Sequence, residues 1–434
     1  MEKNTNRLLA LEGLRGIAAI VVVLYHTLLI AYNAMFYGTS SVFAPVMNMK
    51  YEDDIYGNPL AVFLSGTFAV AIFFVLSGFV LSIGFFQTKD QLIVKKLAAK
   101  RYIRLMVPAL VSVMIAWALI TLNLSHNSGA TAITHSDWLG RMWSFMPNFF
   151  DAIQQGVWGV FATGQNYYNP VLWTMFYEFI GSFVVFAMLI MAGNMSKRWI
   201  IYGALVVALY QTWFLGFILG AILADLYAHK KFPFDKPHLG FSKAALIAGL
   251  LFGGYPLMAT TGTFYESLNI PWLNPSINHS LYLTIGATLL IIATLSIRSM
   301  RNLLSHPKIS VLGKYTYSLY LTHKLVLFTI GSGVLVFLYE NMHLGVNKAS
   351  LLAMAISIPF IVLAAYIFEK YVDAPSVRLS GVFANWFLGL PQKEGITAYT
   401  EHVNKHWLSG MRRAIHDNFL EYKNRIHTRK LGGK

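Results

Sequence analysis

Two side chains able to hold an anion and move a proton lie on one stripe of one helix. They are Arg15 and His26, in the segment LEGLRGIAAIVVVLYHT. Eleven positions at about 100° each make about three turns plus 20°, so both side chains face the same way, about 16 Å apart along the axis. A charge in an apolar helix is rare, and an Arg and a His on one stripe suit a built site. Spacing alone leaves a second reading open, in which Arg15 snorkels to the surface and His26 is a satisfied interior histidine.

Other polar groups interrupt apolar stretches. Glu178 sits about two turns into NPVLWTMFYEFIGSF. A carboxylate there is costly and calls for a partner; it can orient a histidine, bind a substrate hydroxyl or form an internal ion pair. Arg101 and Arg104 in KKLAAKRYIRLMVPAL are three apart and share a face. Guanidinium forks match phosphate oxygens, although basic clusters also follow the positive-inside rule. His323 stands two turns into LGKYTYSLYLTHKLVL, with Tyr317, Ser318 and Tyr320 on the turns before it. Ser77 in VAIFFVLSGFVLS is a nucleophile only with a base in reach, and beside Gly78 it suits close packing better. Glu369, Lys370 and Asp373 read as anchors at the inner interface.

The elements that position these groups are membrane helices. The chain has 434 residues, 56% hydrophobic and 12% charged, about half the charged share of a soluble domain. Its apolar blocks have the length a bilayer requires. An all-α, polytopic transmembrane bundle of about ten spans is expected, near 14–32, 60–85, 103–123, 172–193, 198–210, 212–228, 242–261, 279–297, 315–338 and 350–371. The first block is too long for a signal-peptide core and is expected to remain as a helix. Pro108 is expected to kink the third span. With the N-terminus inside, the outward segments hold only Lys50, Arg141 and Lys348 of the 34 Lys and Arg residues. That bias supports an even number of spans with both termini cytoplasmic. It also accounts for the net charge of +15, so nucleic-acid binding is rejected.

There is no cysteine, which excludes disulfides, thiolate nucleophiles and Cys-ligated metals; no metal is expected. The outward segment 123–171 carries Trp138, Trp143, Trp158, Tyr167 and Tyr168, which suit sugar rings, a lipid headgroup or an interfacial belt. Residues 1–376 are read as the membrane domain and 377–434 as a basic cytoplasmic tail. That tail has ten basic and four acidic residues, and its stretch 397–429 is compatible with an amphipathic helix on anionic lipid.

Five segments in order resemble the acyltransferase 3 family of integral membrane acyltransferases. They are Leu14-Arg15-Gly16 with His26, Phe73 to Phe79, Arg101 to Pro108, Leu172-Trp173 with Glu178, and Tyr317 to His323. Their order and spacing match across about residues 8–376. Two departures are Ala71-Ile72, where the family often has an Asp, and Tyr371 after Glu369-Lys370, where it commonly has Pro. They touch subfamily and substrate more than reaction class. The 58 residues after 376 are too short and basic for an added soluble transferase domain.

The resemblance implies transfer of an acyl group, usually acetyl, from cytoplasmic acyl-CoA to a hydroxyl of a surface polysaccharide or lipid-linked glycan, in a layout suited to a bacterial inner membrane. His26 is then the general base or a transient acyl carrier. Arg15 holds the donor or stabilises oxyanion charge, and Glu178 tunes or orients the base. Arg101 and Arg104 meet the CoA phosphates, and Tyr317 and His323 complete the cavity. Expected partners are the glycan acceptor, acyl-CoA and membrane lipids; a homo-oligomer is compatible with the sequence. Buried Arg, His and Glu also suit a proton-coupled transporter or flippase, against which the lack of an inverted repeat counts. A non-catalytic scaffold in glycan assembly is a third reading.

Overall fold

A computed structural model of the protein describes residues 2–39, 47–230, 239–258 and 260–391, and these contain helices and no strands. The chain is a polytopic helical membrane protein. Seven helical segments have the length and apolarity to cross a bilayer: α1 (Glu2–Leu29), α2 (Gly66–Thr88), α3 (Gln91–Thr121), α4 (Trp173–Ala192), α8 (Pro275–Ser296), α9 (Pro307–Glu340) and α10 (Val346–Phe387). Three shorter apolar helices fall at the fifth, sixth and seventh expected spans: α5 (Arg198–Leu209), α6 (Phe214–Ala228) and α7 (Leu239–Gly253). At 12 residues α5 is about 18 Å long, short of the ~30 Å hydrocarbon core. It folds back on α6 as an antiparallel pair. Arg198 at its start forms a bidentate pair with the buried Asp225 near the end of α6, at 2.6 and 2.9 Å. The seventh segment was expected to run to 261. Its helix stops at Gly253 because Gly253-Gly254 is followed by Pro256, which cannot donate to a helix.

α2 is the central helix, packed against α1, α4, α6 and α8. Its contact with α6 is a small-residue crossing. A Cβ on Gly220 would stand 2.0 Å from the Val75 carbonyl oxygen, and one on Gly78 2.0 Å from that of Phe217. Only glycine permits that approach, and it is how helices pack without a hydrophobic drive between them. α1 and α9 run parallel and close: a Cβ on Gly16 would stand 2.5 Å from Leu312 Cβ. α10 turns apolar side chains such as Leu351, Ile358, Phe360, Val362 and Ile367 outward, as a lipid-facing helix does.

The starts of α1, α3 and α9 meet the latter part of α10 at one end of the bundle, called here the charged end. Lys314 reaches Glu369 at 3.3 Å there, and Arg104 pairs with Asp373. α3 continues as helix through the buried Pro108. The opposite, capped end is covered by residues 123–169. That segment is a folded layer of short helices, Asn127–Thr134, Asp137–Gly140 and Phe149–Gln154. Trp143 Nε1 donates to the Tyr168 carbonyl at 2.7 Å, and Tyr168 Oη donates to the Asn148 carbonyl at 2.8 Å. Those two aromatics therefore serve the layer's own packing, while Trp158 is exposed. α9 and α10 each contain one wide π-turn, Leu327–Gly331 and Glu369–Asp373, which re-aims the side chains around it. The stretch 397–429 lies outside the described residues.

Candidate active site

Arg15 and His26 both face α9, at two levels. Arg15 Nη2 donates to the Gly313 carbonyl at 3.0 Å and pairs with Glu12 at 2.8 Å. Eleven residues on, His26 Nδ1 lies 3.0 Å from His323 Nε2. The parallel course of α1 and α9 carries one register through both contacts.

The lower level is a cavity of about 240 Å³ toward the charged end. Arg15, Arg101, Arg104, Lys314, Glu12, Glu178 and Asp373 contribute its charged lining. Of the roles the sequence left open for Glu178, the structure shows the internal ion pair, in this cavity. Its carboxylate takes the guanidinium of Arg101 on one oxygen and the Ser77 hydroxyl, at 2.8 Å, on the other. Arg101 Nε also donates to Ser182 Oγ at 2.9 Å. Arg104 pairs with the buried Asp373, donates to Ser376 Oγ at 3.0 Å and lies over the Tyr317 ring. Arg101 and Arg104, the sequence's candidates for the CoA phosphates, both line this cavity, and each is paired with a carboxylate. Asp373 and Glu369, expected as interface anchors, are ion-pair partners within the bundle. The more exposed cations are Arg15 and Lys314, with 37% and 50% of their side chains accessible. Tyr317 Oη donates to the Leu105 carbonyl at 3.2 Å.

Tyr320 closes the cavity toward the second level. Its hydroxyl sits 3.0 Å from Thr174 Oγ1 and 3.0 Å from the Val171 carbonyl, and its ring centroid is 6.1 Å from that of His323.

The upper level is the histidine pair. His323 is fully buried, and its Nδ1 lies 2.9 Å from the Leu319 carbonyl. A carbonyl only accepts, so His323 Nδ1 carries the proton and its Nε2 presents a lone pair. His26 Nδ1 lies 3.0 Å from the Val22 carbonyl and 3.0 Å from that lone pair. Both neighbours are acceptors, so His26 Nδ1 is protonated in the neutral ring and Nε2 is the basic atom. His26 is half-buried, with the Trp138 ring stacked on it at 5.9 Å and the Tyr25 ring edge-on at 4.8 Å. Trp138 comes from the capping layer, in its short helix Asp137–Gly140.

Lys314 and Lys324 escaped the sequence reading. Lys314 was absorbed into the general basic bias. Lys324 directly follows His323 in a span, and the rule that picked out Glu178 picks it out too. Among the described residues no group of three His, Cys, Asp or Glu side chains converges as metal ligands do.

A family model for an acyltransferase domain, of the acyltransferase 3 type, matches residues 8–370, nearly the whole of the described bundle. No curated protein matches the chain. No solved structure matches it either.

Proposed function

The chain belongs to the acyltransferase 3 domain family and is a membrane acyltransferase, and from that premise we propose that it moves an acetyl group from cytoplasmic acetyl-CoA to a hydroxyl of a cell-surface glycan or its lipid-linked precursor. The observation that carries this reading is the histidine pair. Two fixed tautomers leave one lone pair, on Nε2 of a His26 ring stacked against Trp138.

The basic bias of the segments makes the charged end cytoplasmic and the capped end external. The donor enters at the charged end. At about 240 Å³ the cavity is smaller than the ~300–1,000 Å³ sites that enclose drug-sized ligands, so it suits the extended acyl-pantetheine arm and leaves the nucleotide outside. Arg15 and Lys314, the exposed cations at its wall, meet the phosphates. Arg101 and Arg104, held by Glu178 and Asp373, shape the cavity and set its charge. Passage of the acyl end beyond Tyr320 brings the thioester to the histidines.

An alcohol is a weak nucleophile at neutral pH, and a positioned histidine removes its proton as the C–O bond forms. His26 Nε2 takes that proton. Val22 and His323 accept from the opposite nitrogen and so stabilise the imidazolium and hold its plane. The proton then passes to the departing thiolate, which leaves as free CoA. The acceptor approaches from the capped side, under Trp138.

The test is a comparison of surface glycans from cells with and without the protein, by mass spectrometry and NMR. The expected result is loss of one O-acetyl group, which names donor and acceptor together. Identical glycans in the two strains contradict the assignment.

A further inference from the structure

We propose that Lys324 is a catalytic residue of this transfer: its ammonium receives the oxyanion formed when the acceptor oxygen adds to the acyl carbonyl beside His26. The proposal rests on the acyl-transfer reading above.

Lys324 is 4% exposed in the middle of α9, directly after His323. Among the described residues no carboxylate pairs with it and no hydrogen bond holds it. Its ammonium stands over the face of Trp138, with Nζ 5.1 Å from the ring centroid. That same indole stacks on the His26 ring. Lys324 and His26 therefore share one aromatic wall. Glu178 and Asp373, in the cavity below, are paired with Arg101 and Arg104.

A cation buried in a membrane protein without a counter-ion is electrostatically incomplete. Its burial is compensated only when an anion arrives. The proposed reaction makes one at that spot. As His26 Nε2 accepts the hydroxyl proton, the acceptor oxygen bonds to the carbonyl carbon, and the C=O electron pair moves onto oxygen. The tetrahedral anion then collapses, the C–S bond breaks, and the thiolate takes the proton from His26. An ion pair present in the tetrahedral state and absent from the resting state lowers the barrier without tightening ground-state binding. The π-turn Leu327–Gly331 begins three residues after Lys324, and its Phe328 packs on the same indole at 5.8 Å.

The full-length protein reconstituted in lipid nanodiscs is assayed with radiolabelled acetyl-CoA and two probe acceptors, methyl glucoside and methyl glucuronide. Lys324→Met is expected to lower kcat about 10²–10³-fold, with the KM for acetyl-CoA unchanged and the melting temperature not lowered. Lys324→Arg is expected to recover at least about tenfold of that loss, because the charge returns. Should Lys324→Met not assemble, the comparison of Lys324→Gln with Lys324→Arg carries the same expectation. A kcat within about threefold of wild type in Lys324→Met overturns the proposal. So does a loss confined to a raised KM for the glucuronide, which makes Lys324 a binder of an acidic acceptor. A wild-type protein that neither acetylates the acceptors nor hydrolyses acetyl-CoA defeats the acyl-transfer reading itself, and this proposal with it.

Discussion

Removing the Glu178 carboxylate while keeping Arg101 tests whether the charged cavity is built on internal ion pairs. The two side chains are only 14% and 12% exposed, so Glu178→Ala strands a guanidinium in a poorly solvated place. Breaking such a pair from one side costs about 3–5 kcal/mol. The cavity gives the guanidinium some access to water, which places the cost near the lower bound. Ser77 loses its acceptor as well, adding about 1 kcal/mol. A loss of about 3–4 kcal/mol follows, which lowers the melting temperature of a chain this long by about 3–5 °C. In the double variant Arg101→Met, Glu178→Met both charges go together, and stability is expected to return to within about 1 kcal/mol of wild type. The assay is thermal unfolding of the nanodisc-embedded protein, completed as a double-mutant cycle with Arg101→Met and Glu178→Met as the single variants. Additive single effects, with no coupling, refute the reasoning. Acetyl-CoA binding adds a second reading. The double variant is expected to hold the donor within about threefold, while Arg15→Met and Lys314→Met each weaken it about tenfold, the scale of one charge-assisted phosphate contact.

Three further outcomes are expected. His323→Leu removes one of the two acceptors that fix the His26 tautomer and is expected to lower kcat about 5–10-fold, the scale of one hydrogen bond. His323→Gln, whose amide oxygen can still accept, is expected to keep most of the rate; equal rates in both variants contradict the tautomer argument. Gly220→Leu drives a side chain into the Val75 carbonyl and is expected to cost about 3 kcal/mol or more, read as loss of folded protein in the membrane. Gly203→Ala, with nothing within 4 Å of the new Cβ, is the neutral control. Glu52→Ala leaves the Ala34, Asn48 and Met49 N–H groups without their carboxylate acceptor. It is expected to speed hydrogen exchange at Ala34, Asn48 and Met49, at a cost of about 1–3 kcal/mol.

The helices were legible because a bilayer demands about 20 apolar residues per crossing, and those blocks are plain in the chain. The residues in the charged cavity and at the histidine pair were legible because an ionisable group inside such a block stands out. Their partners were not. Arg101 meets Glu178 across 77 positions, and Arg104 meets Asp373 across 269. Nothing local records which helices cross, so Glu178 read as able to orient a histidine, bind a hydroxyl or form an ion pair. The crossings themselves depend on glycines such as Gly16 and Gly220, whose role appears only when the facing backbone is in place. The capping layer read as an open aromatic loop because Trp143 and Tyr168 carry the same residue signal whether they bind a sugar or each other's backbone. Only their hydrogen bonds decide it.

The central claim is that His26 Nε2 removes the acceptor proton. Its most direct measurement is acetyl transfer by His26→Ala at membrane levels matched to wild type, using radiolabelled acetyl-CoA and cells that carry the native acceptor. Transfer is expected to fall at least about 10²-fold, the least that a general base contributes, while acetyl-CoA still binds in the cavity below Tyr320. Near-normal transfer with an alanine at position 26 contradicts the account.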